Sequence, residues 1–174
     1  MGRPTVLHRD FFLRDVKRVA PELLGKILCV RDGEGTRRAI ISETEAYDGE
    51  KDMACHASKG KTNRNSIMYA EGGICYVYLC YGLHWMLNLV TGQPGYPAAV
   101  LIRGSLEVTG PGRLSKVLGI NRSFNGMDLS RTSCIWVEDN GRVPKEIHSG
   151  PRIGVDYAGP VWSMKPYRFW FSNY

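Results

Sequence analysis

The sequence contains no long hydrophobic run, since no stretch approaches the ~20 consecutive apolar residues that a membrane-spanning helix needs. No apolar segment typical of a secretion signal opens the chain, and internal repeats, low-complexity tracts and linkers are missing as well. The 174 residues, 43% of them hydrophobic, suffice for one compact domain with a substantial core and leave little room for a second. We therefore expect a soluble, intracellular protein in which residues 1–174 form a single domain.

Patterns typical of metal sites and disulfide frameworks are also lacking. The cysteines are odd in number and include no Cys-x-x-Cys pair, and Cys75 and Cys80 lie in apolar runs, where a cysteine usually acts as a small buried hydrophobe. Cys55 and His56 are adjacent, but two ligands without further partners are a weak indication of zinc. We expect reduced thiols, no metal and no cofactor, in a cytoplasm (at the nucleoid of a bacterium) or in a nucleus.

The charge of the chain is mainly positive. The formal net charge is +6 and the sequence pI is about 9.1, which fits an acidic partner such as nucleic acid and equally fits a solvated basic surface. Such side chains can contact a phosphate backbone, but charge alone does not decide between these two uses. The basic residues cluster in two regions, first Lys59, Lys61 and Arg64, then Arg113, Lys116 and Arg122.

Two helices can be placed from the hydrophobic pattern. Residues 15–24 have the spacing of an amphipathic helix, with Asp15 as its N-cap and Gly25 as its stop. Pro21 lies inside this pattern and should kink or split the helix. A second, short helix is predicted over residues 112–120.

Strand patterns outnumber the helices and predict an α+β domain built on a mainly antiparallel sheet. A glycine-rich turn at residues 32–35 joins the first pair, and Tyr81-Gly82 forms the turn of the strongest hairpin signal. The polar stretch 48–65 is predicted to be an ordered functional loop. The predicted strands are residues 26–30, 38–45, 74–81, 83–90, 98–103, 135–138 and 168–171.

Two carboxylates at the end of a strand are candidates for a general base. Glu45 ends the strand 38–45 beside aromatic residues, where a raised pKa would let it activate water. Taken alone, a solvated edge glutamate is the commoner case. Glu43 competes for the role, because residues two apart on a strand face the same side and spacing does not choose between them.

Tyrosines around residue 78 are candidates for gripping a flat ring. Tyr76 and Tyr78 share one strand face, and Tyr81 at the hairpin tip can act as a wedge between base pairs. Tyrosine also simply favours strands, and that reading is preferred for Tyr76. Tyr47 and His56 can stack on a ligand in the same way.

Asn88 and Arg103 are polar residues in apolar strands. A buried asparagine must find hydrogen-bond partners, so Asn88 is either a structural bridge or a ligand contact. Arg103 can hold a phosphate or pair with a glutamate. Each, taken alone, is more often structural.

Together these segments resemble one family, the alkyladenine (3-methyladenine) DNA glycosylases of the mammalian and bacterial type. The resemblance runs through most of the chain in order, and the motifs at residues 43–47 (ETEAY) and 76–82 (YVYLCYG) are specific at this separation. The other matching positions are 15–16, 24–26, His56, 61–65, Asn88, Arg103, 110–114 and 165–169.

The resemblance implies a monofunctional enzyme that flips alkylated or deaminated purines from double-stranded DNA and hydrolyses the N-glycosidic bond with an activated water, leaving an abasic site. The implied lesions are 3-methyladenine, 7-methylguanine, hypoxanthine and ethenoadenine. The implied protein is a monomer without cofactor or membrane association. Its implied fold is one α+β unit with a curved, mainly antiparallel sheet flanked by short helices, similar to the C-terminal domain of formyltransferases.

Residue roles follow from the same resemblance. Glu45, rather than Glu43, matches the general base, and Arg103 matches an arginine near Glu45 and the water. Tyr47 matches the aromatic residue on one face of the flipped base. The other implied roles are His56 and Tyr78 on the opposite face, Asn88 against the 2-amino group of normal guanine, Tyr81 in the minor groove, and Lys61, Arg64 and Arg113 as candidate contacts to the DNA backbone.

Two departures from the family pattern affect the DNA-binding regions. Asn63 stands where the family usually has proline, which would loosen the loop that holds His56. The connection between Arg103 and Gly110 is shorter than the family pattern leads us to expect, either because the natural loop is short or because residues are missing from it. Contacts to DNA from that connection are therefore open, whereas the implied catalytic set is intact.

Two other functions are compatible with these residues. One is a non-catalytic nucleic-acid-binding module whose tyrosines only stack on bases, and the other is a metal-dependent hydrolase using Glu45 and His56. Base release that depends on Glu45 argues against the first, and bound metal would favour the second. No lysine matches an attacking role, so a lyase that works through a Schiff base is not expected.

Overall fold

The computed structural model describes residues 4–130 and 132–174. The strands are β1 (Thr5–Val6), β2 (Ile27–Asp32), β3 (Gly35–Asp48), β4 (Cys75–Cys80), β5 (His84–Val90), β6 (Ala98–Ser105), β7 (Ile135–Asp139), β8 (His148–Gly150) and β9 (Arg168–Trp170). The α-helices are α1 (Arg9–Phe12), α2 (Val16–Glu22), α3 (Pro111–Leu118) and α4 (Gly159–Ser163). Short 3₁₀ helices cover His56–Lys59, Ser66–Tyr69, Arg122–Phe124 and Asp156–Ala158.

One curved sheet of nine strands holds the described residues together. Its order is β1-β7-β2-β3-β6-β5-β4, and β9 pairs with both β3 and β8. Every pairing between these strands is antiparallel. The α+β class and the antiparallel sheet expected from the sequence are therefore confirmed. No helix in the described part of the chain is long and apolar enough to cross a membrane.

Strand β3, with 14 residues, links the two halves of the sheet. Its first part pairs with β2, whereas Ile41 and residues 43–48 pair with β6, and residues 43–45 also pair with β9. The register is irregular between Ile41 and Thr44, where the strand passes from one half to the other. The end of β3 thus lies between two neighbours in the middle of the sheet, and it carries the ETEAY motif.

Helix α2 covers the back of this strand. The Asp15 carboxylate accepts a hydrogen bond from the Lys17 N–H at 2.8 Å, which is the N-cap that the sequence predicts. Pro21 does not split the helix, because it lies in the last turn and the helix ends one residue later. The Thr44 hydroxyl donates to the Ala20 carbonyl at 2.9 Å and ties the helix to the buried side of β3. The glutamates on either side of Thr44 point away from α2, towards the other face.

The hairpin of β4 and β5 ends in the predicted tight turn. The Leu83 N–H donates to the Cys80 carbonyl at 3.0 Å, and φ is 50° at Tyr81 and 67° at Gly82, as in a type I′ turn. Glycine adopts such angles freely, whereas tyrosine rarely does. Within the described ranges, Tyr81 is the one non-glycine residue with a positive φ.

The short connection between β6 and α3 forms a closed turn of its own. The Ser105 N–H donates to the Val108 carbonyl at 2.8 Å, and Gly104 forms a bridge with Thr109. The Ser105 hydroxyl accepts from the N–H groups of Glu107 and Val108 at 3.2 and 3.0 Å. The turn is therefore fixed by local hydrogen bonds.

Candidate functional site

A cleft of about 930 Å³ opens on the face of the sheet opposite α2. The end of β3 lies at its base, the β4–β5 hairpin forms one side, and the polar stretch 48–65 and the segment 153–157 form the others. A small recess shares part of this lining and continues beneath it. Residues that line the recess include Tyr47, His56, Tyr76, Tyr78, Asn88 and Tyr157.

Glu45 lies at the base of the cleft with a side chain that is 0% exposed. Its Oε1 accepts the Ile153 N–H at 2.8 Å, and its Oε2 accepts the Tyr47 hydroxyl at 2.7 Å. The Arg103 Nη1 is 3.5 Å from Oε1. Both oxygens are thus fixed by neutral donors, and a cation stands beside them.

The environment of Glu45 acts on its proton affinity in opposite directions. Burial raises the pKa of this carboxyl above its ordinary value, while Arg103, the Ile153 amide, the Tyr47 hydroxyl and Arg152 partly counteract the increase. The net shift of the pKa is upwards, because desolvation outweighs the other effects. Such a carboxylate is a stronger base than a solvated glutamate, which suits the activation of water.

Glu43 points to the same region but is held differently. Its Oε1 accepts from the Arg103 Nε at 3.1 Å and from the Arg168 Nη1 at 3.2 Å. Arg103 therefore bridges the two glutamates. Glu43 with two arginine partners is an anchor for Arg103, and Glu45 is the carboxylate that lines the cleft.

Aromatic rings surround the recess beside Glu45. His56 and Tyr78 have ring centroids 4.5 Å apart, and Tyr47 lines the same recess. Tyr76 is 2% exposed, and its hydroxyl lies 3.0 Å from the His56 Nδ1. Burial, and to a lesser degree Arg64, lowers the pKa of His56, so the imidazole is neutral at neutral pH. These aromatic side chains line both the recess, which has a volume of about 40 Å³, and the larger cleft.

Asn88 is buried in β5 and lines the recess. Its Nδ2 donates to the Tyr76 carbonyl at 3.2 Å and to the Met86 carbonyl at 3.4 Å. These two bonds orient the amide within the recess.

The loop that carries His56 is held by a buried asparagine. The Asn65 Nδ2 donates to the carbonyls of His56 and Gly60 at 3.0 and 2.9 Å, and its Oδ1 accepts the Thr62 N–H at 2.7 Å. Asn65 thus ties down the stretch around Asn63.

Tyr81 and the candidate backbone contacts lie at or near the edge of the cleft. Tyr81 lines the cleft and is 92% exposed at the hairpin tip. Arg64 also lines it, and its guanidinium lies 5.5 Å from the centroid of the Tyr78 ring. Lys61 is exposed and lies over the Tyr69 ring, and Arg113 is exposed on α3, whose Pro111 reaches the cleft.

The sequence reasoning missed several residues of this site. Ile153 contributes a backbone N–H, which leaves no side-chain signal. Tyr157 lines the recess, and its hydroxyl donates to the Ala54 carbonyl at 2.8 Å. Asp52 and Arg152 form a buried ion pair behind Tyr47, 100 residues apart in the chain, where no spacing pattern connects them.

Metal ligands are not clustered at this site. The part of the chain that the structure describes contains no group of three or more His, Cys, Asp or Glu side chains placed to hold a metal ion. All five cysteines are free thiols, and burial raises the pKa of Cys55, beside His56, to about 12.

Comparison with known proteins identifies close relatives. The methylpurine-DNA glycosylase family model matches residues 10–109 and 105–174. A protein of Methanocella arvoryzae is 44% identical over 188 residues, covering 97% of this chain and 93% of that protein. Proteins of Myxococcus xanthus (44% identical; 96% and 90% covered) and Rickettsia felis (45% identical; 89% and 89% covered) are similarly close. All three are provisionally named as 3-methyladenine DNA glycosylases.

Proposed function

The chain belongs to the methylpurine-DNA glycosylase family, and on that basis we propose that it removes alkylated or deaminated purines from duplex DNA by hydrolysing the bond between the base and C1′ of the sugar. The proposed lesions are 3-methyladenine, 7-methylguanine, hypoxanthine and ethenoadenine. A duplex hides this bond, so the nucleotide must be extruded, and damaged or poorly paired purines are the least costly to extrude. That difference gives a first layer of selectivity.

The observation that carries this proposal is the position of Glu45, which is fully buried at the base of a cleft, beside a recess with aromatic walls. A purine in the cleft, against the aromatic side chains that line it, would place its glycosidic bond near the carboxylate. Because hydrogen bonds fix both of its oxygens, the Glu45 carboxylate is already oriented before the substrate binds.

The chemistry is a displacement by water. As the C1′–N bond breaks, the base leaves with the bonding electrons and the sugar gains oxocarbenium character. Water forms the new bond to C1′ and gives its proton to Glu45, whose negative charge also stabilises the cationic sugar. A cationic alkylated base leaves as a neutral molecule, whereas a neutral lesion needs a proton delivered to the base.

Recognition of the base rests on stacking against the aromatic side chains of the cleft. Tyr47 covers one face of the purine, and His56 with Tyr78 covers the other, which is worth roughly 1–3 kcal/mol per stacked base. A neutral His56 does not repel a cationic base. Asn88, with its amide fixed, crowds the 2-amino group of guanine, and Tyr81 fills the space that the extruded nucleotide leaves.

We propose further that the enzyme is a monofunctional monomer that leaves an abasic site. Attack by an amine would give a Schiff base and strand cleavage without alkali. Lys59 lines the cleft, so this point needs a direct test.

The test is base release from short duplexes that carry one hypoxanthine, ethenoadenine or 7-methylguanine, with and without alkali. Wild type and Glu45→Gln are compared, because glutamine keeps the shape of the side chain but cannot accept a proton from water. We expect strand breaks that need alkali, made by wild type and not by the variant. Breaks without alkali would refute the monofunctional assignment. Lesion-specific binding without any base release would favour a non-catalytic binding module.

A further inference from the structure

A buried ion pair lies behind the aromatic wall of the recess. Arg152 and Asp52 have side chains that are 0% exposed, and the Arg152 Nη1 and Nη2 donate to the two Asp52 oxygens at 2.5 and 2.8 Å. Asp52 also accepts the N–H groups of Asp48 and Ala54, each at 3.0 Å. All these bonds to Asp52 hold the first turns of the loop that leads to His56.

Arg152 connects this loop to other parts of the site. Its Nη1 donates to the Ala46 carbonyl at 2.9 Å, and its Nη2 to the Trp162 carbonyl at 3.3 Å. Its guanidinium lies over the rings of Tyr47 and Tyr167, 4.8 and 5.2 Å from their centroids. One cation thus fixes a strand backbone, a loop and a tyrosine ring together.

The contacts of this pair converge on Glu45. Ile153, which follows Arg152 in the chain, donates its N–H to Oε1 of Glu45, and Tyr47, which stacks on Arg152, donates its hydroxyl to Oε2. Each carboxylate oxygen is therefore held by a group that Arg152 itself positions. Arg152 is buried and does not line the cleft, so it does not touch the substrate.

We propose that the Arg152–Asp52 pair is a positioning element that sets the orientation of Glu45 and, through the Ile153 amide, its affinity for a proton. This inference deepens the proposed function, because it concerns the same carboxylate. A buried ion pair is weak support for stability, since well-packed apolar residues often serve equally well. Arg152 contacts Tyr47 and precedes Ile153, the two residues that donate hydrogen bonds to the Glu45 carboxylate. A planar, charged guanidinium suits these contacts better than an apolar side chain does.

Several charged or titratable groups face Glu45 and bear on any test by pH. The direct neighbours are Tyr47 from β3 and Arg103 from β6, with Arg152 behind them. Glu43 shares Arg103 with Glu45 and also binds Arg168 from β9. Tyr78 and Tyr157 line the same cleft, and burial, with a smaller contribution from the charge of Glu45, raises the pKa of both hydroxyls.

The test is Arg152→Lys, which keeps the positive charge. A single ammonium group cannot bond both Asp52 oxygens and two carbonyls at once, nor stack on Tyr47 as a plane. We expect the single-turnover rate of base release to fall about 10- to 100-fold, as misplacement of a catalytic group predicts, while the Kd for lesion-containing DNA stays within about twofold. The acid limb of the pH–rate profile should move to higher pH, because the Ile153 N–H would stabilise the ionised form of Glu45 less.

Arg38→Lys is the matched control, because Arg38 pairs with a buried carboxylate, Glu138, on β7, in the other half of the sheet. This substitution makes the same exchange of arginine for lysine outside the cleft, at a pair whose arginine is 52% exposed, and we expect an unchanged acid limb of the pH–rate profile. Unchanged pH dependence in Arg152→Lys, with a rate loss no greater than in the control, would overturn the proposal. If Arg152→Lys does not fold, Asp52→Asn, which keeps the size of the side chain, is measured instead.

A second readout does not depend on catalysis. The pKa of Glu45 is followed by carbon-13 NMR of its carboxyl carbon in free protein, and Glu45→Gln identifies the signal. A higher pKa in Arg152→Lys than in wild type supports the proposal, and an equal pKa refutes it. Because this result is obtained without DNA, it is distinct from a failure of wild type to release any base.

Discussion

At the scale of single residues, Glu45 and Glu43 show how two like side chains on one strand face acquire different tasks. Because they are two residues apart, both side chains face the same side of β3, and the sequence alone does not show which of them acts as the general base. The structure separates them by burial and partners, since Glu43 binds two arginines and Glu45 accepts two neutral donors at the base of the cleft. The Ile153 amide could not have been predicted, because a backbone N–H leaves no signal in the residue type.

The raised pKa of Glu45 leads to a prediction about pH. The carboxyl must be ionised to accept a proton, so activity is lost as pH falls through its folded-state pKa, which lies above the ordinary 4.5. Arg103 lowers this pKa, so Arg103→Gln should move the acid limb to still higher pH. Single-turnover release of hypoxanthine across a pH series measures the acid limb for wild type and for Arg103→Gln. A limb that stays in place or moves to lower pH would contradict this account.

At the scale of elements, the longer strands could be predicted from the sequence and the shortest ones could not. Strands such as β4 and β5 are long runs of apolar and aromatic residues joined by a turn of typical composition, so their pairing follows from the sequence. β1 and β8, with two and three residues, are too short to carry any period. The end of β3 was also missed, because Tyr47 and Asp48 look like loop residues, although they pair with Ala99 and Ala98.

The β4–β5 turn gives a prediction in which stability and activity diverge. Asparagine tolerates positive φ better than tyrosine, so Tyr81→Asn should leave the free energy of unfolding unchanged or raise it by up to about 1 kcal/mol. The same change removes the exposed ring, and kcat/KM for lesion-containing duplex should fall about tenfold, equivalent to ~1.4 kcal/mol. Thermal unfolding and base release are measured side by side.

A matched control for this variant is Glu34→Asn in the turn between β2 and β3, in the other half of the sheet. We expect it to leave kcat/KM unchanged. Full activity of Tyr81→Asn on duplex DNA would rule out a wedge at this position.

At the scale of the whole molecule, the positive net charge of +6 acts through its distribution. Arg64 lines the cleft, whereas Arg18 is exposed on α2, behind the sheet. If Arg64 neutralises a phosphate, Arg64→Gln should lower the slope of log K against log salt by about one, uniformly across sequences. Arg18→Gln, with the same change in charge, should leave the slope unchanged. Equal effects of the two variants would show that only net charge matters.

The closed turn between β6 and α3 has a consequence for how relatives can diversify. The bridge between Gly104 and Thr109 brings the two ends of the turn together, so extra residues at its tip would need no change in the strands below. Doubling the length of such a loop costs only about 0.6 kcal/mol in closure entropy. This position can therefore take on lineage-specific insertions, while the end of β3 that carries Glu45 stays as it is.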